Sequence, residues 1–305
     1  RAMPQRAVMK DADAVDLYLR GRALYGAAGP DNLAEAIKLF ERALALRPED
    51  PMLLCANAMA RAKLWFFDTA AEQGALARTA AERAITLAPE RPESHLAMAM
   101  VCFYAGDAAG SLRHAKATLQ RQPNQAEALD LVGRVLAETG PVSSAMRYME
   151  RAYELDALAM RRSFMDRARI KVLTATWAES EALLDEAQRA GLSAAAVWFT
   201  RSRLAGWIAD PQLAKTMLEH PDITSGKYPR VQSILRLIMG DSNQNLDAIF
   251  TGSFGSDQSS PRSRAYFFQL KTEVECLHGH TDAAIRALAR SVDAGLFDLV
   301  WVDHC

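Results

Sequence analysis

The residues with the most evident capacity for chemistry lie near the C-terminus. Cys276-Leu277-His278-Gly279-His280 sets a thiol and two imidazoles within one short run, and His304 and Cys305 follow at the tail. Zinc takes three or four N or S ligands in tetrahedral directions, so these side chains would hold it only if a turn bent them together. A plainer reading fits the local pattern better: Gly279 ends one helix, and histidines beside that C-terminus sit well in its dipole. The other two cysteines, Cys55 and Cys102, are isolated and no CxxC spacing occurs, which excludes a zinc ribbon and a disulfide framework as readings. Free, mostly buried thiols are expected, with no metal and no cofactor.

Phosphate and acid–base chemistry find equally little support. Gly252-Ser253-Phe254-Gly255 is glycine-rich but lacks the Gly-Lys-Ser/Thr that completes a phosphate loop. There is no Gly-x-Ser-x-Gly elbow and no His-Glu-x-x-His pair. Glu179, Glu181, Asp185 and Glu186 fall on helical faces with Arg189 nearby, as on a solvated surface. Arg20, Arg22, Arg161, Arg162, Arg167, Arg169 and Lys171 have neutralising acids close by and read the same way. The chain is therefore expected to be no enzyme. Its 36 basic and 37 acidic residues leave a formal charge of −1, which provides no field to concentrate it on nucleic acid. The apolar stretches Met52–Trp65 and Ser193–Ile208 are broken by Asn57, Arg61, Lys63, Arg201 and Arg203, short of the ~20 apolar residues of a membrane span. Arg1–Lys10 has no apolar run of the kind a signal peptide carries, and a start at Arg1 reads as a piece of something longer. Unpaired cysteines point to the cytoplasm, or to the periplasm if a span lies upstream.

What would position such side chains is a succession of helices. From about Asp13 onward apolar residues recur at helical spacing and β-branched alternation is almost absent. The run Ala36-Ile37-Lys38-Leu39-Phe40-Glu41-Arg42-Ala43-Leu44-Ala45-Leu46-Arg47-Pro48 has cousins in Thr79–Pro89, Ser111–Pro123, Ala145–Ala157 and Ala283–Gly295. The best-spaced units are Pro92–Gln125 and Ala126–Ala157. Each places a small residue, Ala99 or Gly133, on a first helix and breaks at Gly106-Asp107 or Thr139-Gly140-Pro141. A second helix follows with Ala115 and Thr118, or with Ala145 and Ala152. A single hairpin cannot bury this much apolar face, so hairpins must stack.

On these residues the chain resembles the tetratricopeptide repeat family, whose 34-residue helix-turn-helix unit has this order of small, bulky and proline positions. The resemblance is specific in the two central units. In the first unit, through Leu17, Gly21, Leu24, Ala36, Phe40, Ala43 and Pro48, Gly26–Pro30 lengthens the turn. Leu64–Leu76, with Trp65-Phe66-Phe67, reads as an insertion in the second unit. Asp16-Leu17-Tyr18-Leu19-Arg20-Gly21-Arg22 and Ala294-Gly295-Leu296-Phe297-Asp298-Leu299-Val300-Trp301-Val302-Asp303 are similar to the ends of repeat regions in bacterial multidomain regulators, downstream of winged-helix, adenylate cyclase or Ser/Thr kinase domains.

The expected fold is all-α: an α-α superhelix, a solenoid of about seven helical hairpins, degenerate in its C-terminal half. Its expected parts are a connector over residues 1–12, regular hairpins over 13–157, degenerate hairpins over 158–263 and a last hairpin with tail over 264–305. Breaks are expected at His220–Pro229 and Gly252–Pro261.

The resemblance implies a protein-interaction or signal-input module that takes a protein or peptide partner in a concave groove. Tyr18, Arg22, Met59, Lys63, Met100, Tyr104, Arg134, Glu138 and Arg169 are placed near that groove. The carboxylate clamp of chaperone-tail-binding members is not matched, because Tyr18, Cys55, Leu96 and Asp130 stand at the equivalent surfaces. Two alternatives stay open. One is a homo-oligomer formed through Trp301, Phe297 and Trp65-Phe66-Phe67. The other is a small-ligand or catalytic role for residues 158–263.

Overall fold

The computed structural model describes residues 5–304 except 28, 68–69, 161, 242, 245–248 and 251–256, and side chains from residue 12 onward except at 159. The Gly252–Gly255 segment and Cys305 therefore lie outside the described residues, as do Arg161 and residues 1–4 of the expected connector. Eighteen helices and no strand are found among the described residues, none of them long and apolar enough to cross a membrane. The fold is all-α, with helices that pack on their neighbours along the chain, as expected.

Contacts divide the chain into two compact units, Arg1–Val132 with Gly255–Arg264, and Gly133–Phe254 with Ala265–Cys305. In the first unit α1 (Gln5–Ala27) pairs with α2 (Pro30–Leu46), α3 (Pro51–Phe67) with α4 (Glu72–Leu87), and α5 (Pro92–Tyr104) with α6 (Ala108–Arg121). The pairs join through α2 against α3 and α4 against α5. Helix α7 (Ala126–Thr139) starts in this unit and finishes in the second. There follow α8 (Val142–Leu155), α9 (Ala157–Met160), α10 (Ser163–Thr174) with α11 (Trp177–Arg189), and α12 (Ala194–Ile208) with α13 (Pro211–Leu218). Then come α14 (Pro221–Thr224), α15 (Pro229–Ile238), α16 (Pro261–Leu277), α17 (Thr281–Asp293) and α18 (Leu299–His304). Helix α1 thus begins within the stretch expected to be a connector. Most of the Leu64–Leu76 insertion is helix, lengthening α3 to Phe67 and starting α4 at Glu72.

The repeat is written in the backbone at the ends of the second helices. Arg47 (φ −135, ψ 75), Ala88 (−147, 68), Gln122 (−137, 84) and Asp156 (−148, 80) share one conformation, and each donates its N–H to the carbonyl four residues back. A following proline disfavours α geometry in the residue before it, which accounts for the first three. Asp156 adopts the same geometry before Ala157, so the junction persists where the proline is lost. In the turn within the α5–α6 pair, Gly106 takes a left-handed conformation (φ 80) and Asp107 caps α6 by accepting from the Gly110 N–H at 2.7 Å.

Helices approach where one side chain is missing. A Cβ on Gly21 of α1 would fall 2.5 Å from the ring of Phe40, which is fully buried on α2. A Cβ on Gly133 of α7 would fall 2.6 Å from Met149 of α8 and 3.1 Å from the Ala145 carbonyl. Ala36, Ala43, Ala77, Ala84, Ala99 and Ala115 are likewise fully buried.

Gly26 lies on the same helix as Gly21 but has open space where a Cβ would go. Gly21→Ala should cost about 1–3 kcal/mol despite the helix preference of alanine, because Phe40 cannot move. Gly26→Ala should be neutral or stabilising by up to about 1 kcal/mol. Thermal melts followed by circular dichroism check both; equal effects would refute the close approach at Gly21.

Candidate interaction surface

In the first unit the candidate residues come in pairs four apart, Tyr18 and Arg22 on α1, Met59 and Lys63 on α3, Met100 and Tyr104 on α5, so each pair shares one helix face. The structure separates them by burial. Met59, Met100 and Tyr104 are buried, at 4 %, 5 % and 7 % exposure, so they pack between helices and do not line an open surface. A later segment packs near the ends of α3 and α5: Ser260 donates its N–H to the Trp65 carbonyl at 3.3 Å, and the Arg262 guanidinium lies 3.9 Å from the Phe103 ring centre. Ser259, Ser260 and Ser263 are buried in this arrangement, at the described end of a segment expected to be a loose loop.

Tyr18, Arg22 and Lys63 remain half-buried and accessible. Arg22 and Lys63 flank Tyr25, which is buried: the Lys63 Nζ stands 3.7 Å from its ring centre and the Arg22 guanidinium 5.0 Å, while the Tyr18 ring lies 6.2 Å from that of Phe40. Arg22 also reaches Glu127 of α7 at 3.8 Å. Burial, with Glu127 adding to it, pushes the Tyr25 phenol well above its usual range; burial also raises that of Tyr18. Both rings stay neutral at ordinary pH, so the patch has two cations, one carboxylate and aromatic surface. Cys55 and Leu96, at two of the clamp-equivalent positions, are buried, and burial lifts the Cys55 thiol to about 12.

In the second unit Arg134 and Glu138 of α7 are half-buried, and Arg134 pairs with Asp166 at 3.5 Å. Arg169 differs from expectation. It is 8 % exposed and its guanidinium pairs with Asp298, which ties α10 to the start of α18. Asp298 accepts further from Gln269 Nε2 at 2.9 Å and from the Trp301 N–H at 3.1 Å. Burial raises the Asp298 carboxyl, Arg169 opposes this and Glu138 reinforces it. Beside this pair Arg203 of α12 grips Glu273 of α16 with two bonds of 2.8 Å, its guanidinium 5.0 Å from the Trp207 ring. No local pattern points to Arg203–Glu273, which are far apart in the chain, whereas Asp298 stands out as an acid inside the apolar run Ala294–Val302.

The other chemistry-bearing groups are accounted for locally. His278 and His280 flank the left-handed Gly279 (φ 78), and His280 Nδ1 lies 3.0 Å from Glu275. Cys276 is exposed, and no group of three or more His, Cys, Asp or Glu is arranged for a metal ion among the described residues. Three of the acids of α11 are engaged: Asp185 accepts from buried Arg201 at 2.6 Å, Glu181 from the Trp177 indole at 2.8 Å, and Glu179 pairs with Lys171 at 3.4 Å.

No family model matches the chain, and no curated protein does. Among solved structures it is similar to a monomeric mutant of IFIT1 with m7Gppp-AAAA, at 14% identity and a TM-score of 0.43. That alignment covers 93% of this chain, which spans 59% of the length of the other.

Removing one partner of the Arg169–Asp298 pair leaves a buried charge uncompensated. Asp298→Asn and Arg169→Met should each cost about 3–5 kcal/mol, and the double variant Arg169→Met/Asp298→Leu clearly less than their sum. Urea denaturation checks this, and additive losses would show that the two groups do not depend on each other.

Proposed function

We propose that the chain is a non-catalytic protein-interaction module that receives an acid-bearing peptide or protein segment, as the signal-input part of a larger bacterial regulatory protein acting in the cytoplasm. The observation that carries this reading is the convergence of half-buried Arg22 of α1 and Lys63 of α3 on the buried Tyr25 ring, with half-buried Tyr18 one turn before Arg22 on the same helix face. Tyr18 would supply an apolar anchor, and the two cations would orient a carboxylate. Because α1 and α3 are already packed against α2 and α4, little ordering cost falls on the module side. Each half-exposed ion pair contributes at most about 1 kcal/mol, so discrimination would come from the combination with aromatic contact.

A catalytic or small-ligand role for residues 158–263 is less favoured. The acids and bases that such chemistry would use, Arg201, Arg203, Glu181 and Asp185, are held against one another or against α16. Self-association through Trp65-Phe66-Phe67, Phe297 and Trp301 is less favoured because Trp301 is buried, although the other four are half-buried.

Selection from a phage-displayed peptide library tests the proposal. Peptides enriched on the chain should carry Asp or Glu, and Arg22→Glu/Lys63→Glu should weaken them roughly tenfold or more with an unchanged circular dichroism spectrum. Retained affinity, or enrichment of basic peptides, would overturn it.

A further inference from the structure

Helix α1 has two apolar faces, and the first unit uses only one. Ala14, Leu17, Gly21 and Tyr25 are buried, with Gly21 against Phe40 of α2. On another side Ala12, Val15, Leu19 and Ala23 recur at i, i+3, i+7 and i+11, which places them in one stripe along the helix. All four are exposed, Val15 at 48 % and Leu19 at 60 %. A lone exposed leucine is ordinary, but a continuous stripe of this length on a helix marks a contact surface. Beside it run Asp16 and Arg20, themselves exposed and 3.4 Å apart.

The order of these residues has a property that a contact between identical copies requires: it is self-complementary. If two α1 helices lie antiparallel about a two-fold axis near Leu17 and Tyr18, Val15 of one meets Leu19 of the other. Asp16 then meets Arg20, Arg20 meets Asp16, and Ala12 meets Ala23. Apolar residues fall on apolar ones, each acid on a base, and the alanines at both ends let the helices come close. We propose that the chain forms a two-fold symmetric dimer through this face of α1. The contact residues of the dimer are others than Tyr18, Arg22 and Lys63, on which the peptide reading rests.

One helix pair of about three turns buries less than a standard protein interface, so the dimer should be weak, with a dissociation constant on the order of micromolar. Sedimentation velocity over a concentration series tests it on the whole chain. The weight-average mass should rise from 33.5 kDa toward twice that value as concentration increases. Leu19→Lys should hold the chain monomeric throughout, with an unchanged circular dichroism spectrum. Asp16→Arg should weaken association roughly tenfold by setting arginines opposite one another, and Asp16→Arg/Arg20→Asp should restore it. A monomer at every concentration would overturn the proposal. So would a dimer indifferent to Leu19→Lys, or one abolished by Ile285→Lys, since Ile285 is the equally exposed apolar residue of α17 in the other unit. Failure of the charge swap to restore association would exclude the antiparallel register.

Discussion

Two helices can bury their apolar faces against each other only as far as their backbones can approach, and in this chain the approach depends on absent or minimal side chains. Gly21 admits the ring of Phe40, Gly133 admits Met149, and alanines fill most of the other contact points. Interiors are packed nearly as densely as crystals, so one extra carbon at such a point has to displace a neighbour. The alanine-rich composition follows from this: many short helices meeting at close range need many small residues. The shared backbone geometry at Arg47, Ala88, Gln122 and Asp156 does the complementary task, starting each following helix in an equivalent direction.

That constraint decides which residues remain for function. Positions that face inward in a hairpin array are consumed when other parts of the same unit pack on them. In the first unit the Ser259–Arg264 stretch packs near the ends of α3 and α5, and Tyr104 is core. In the second, α16 and α18 bring Glu273 and Asp298 to Arg203 and Arg169. Buried ion pairs of this sort contribute little net stability compared with apolar packing, but they are costly to mismatch, so they specify which helices belong together. The accessible polar and aromatic groups that remain near the expected groove are Tyr18, Arg22, Lys63, Arg134 and Glu138.

The architecture was legible in the sequence because it is local. Helix period, the glycine turns and the step to proline are properties of short windows, and the hairpins at Pro92–Arg121 and Ala126–Leu155 follow the expected units closely. Where the proline step vanishes, between residues 158 and 263, the chain is still helical, as in α10 to α13. The site was less legible, because burial is non-local. Nothing within a window around Arg169 reveals that Asp298 lies against it, and the aromatic triplet Trp65-Phe66-Phe67 reads as a sticky insertion until α3 is seen to run through it. The stripe on α1 escaped for a different reason: a helix whose apolar residues exceed what its partner can cover looks like a well-buried helix until exposure is measured.

Hydrogen exchange on the whole chain, with and without an acidic peptide selected on it, bears most directly on the central claim that the surface around Tyr25 is the receiving site. Added peptide should slow exchange in α1 and α3 and leave α10 to α12 unchanged. Protection confined to the second unit, with α1 and α3 indifferent, would contradict the account.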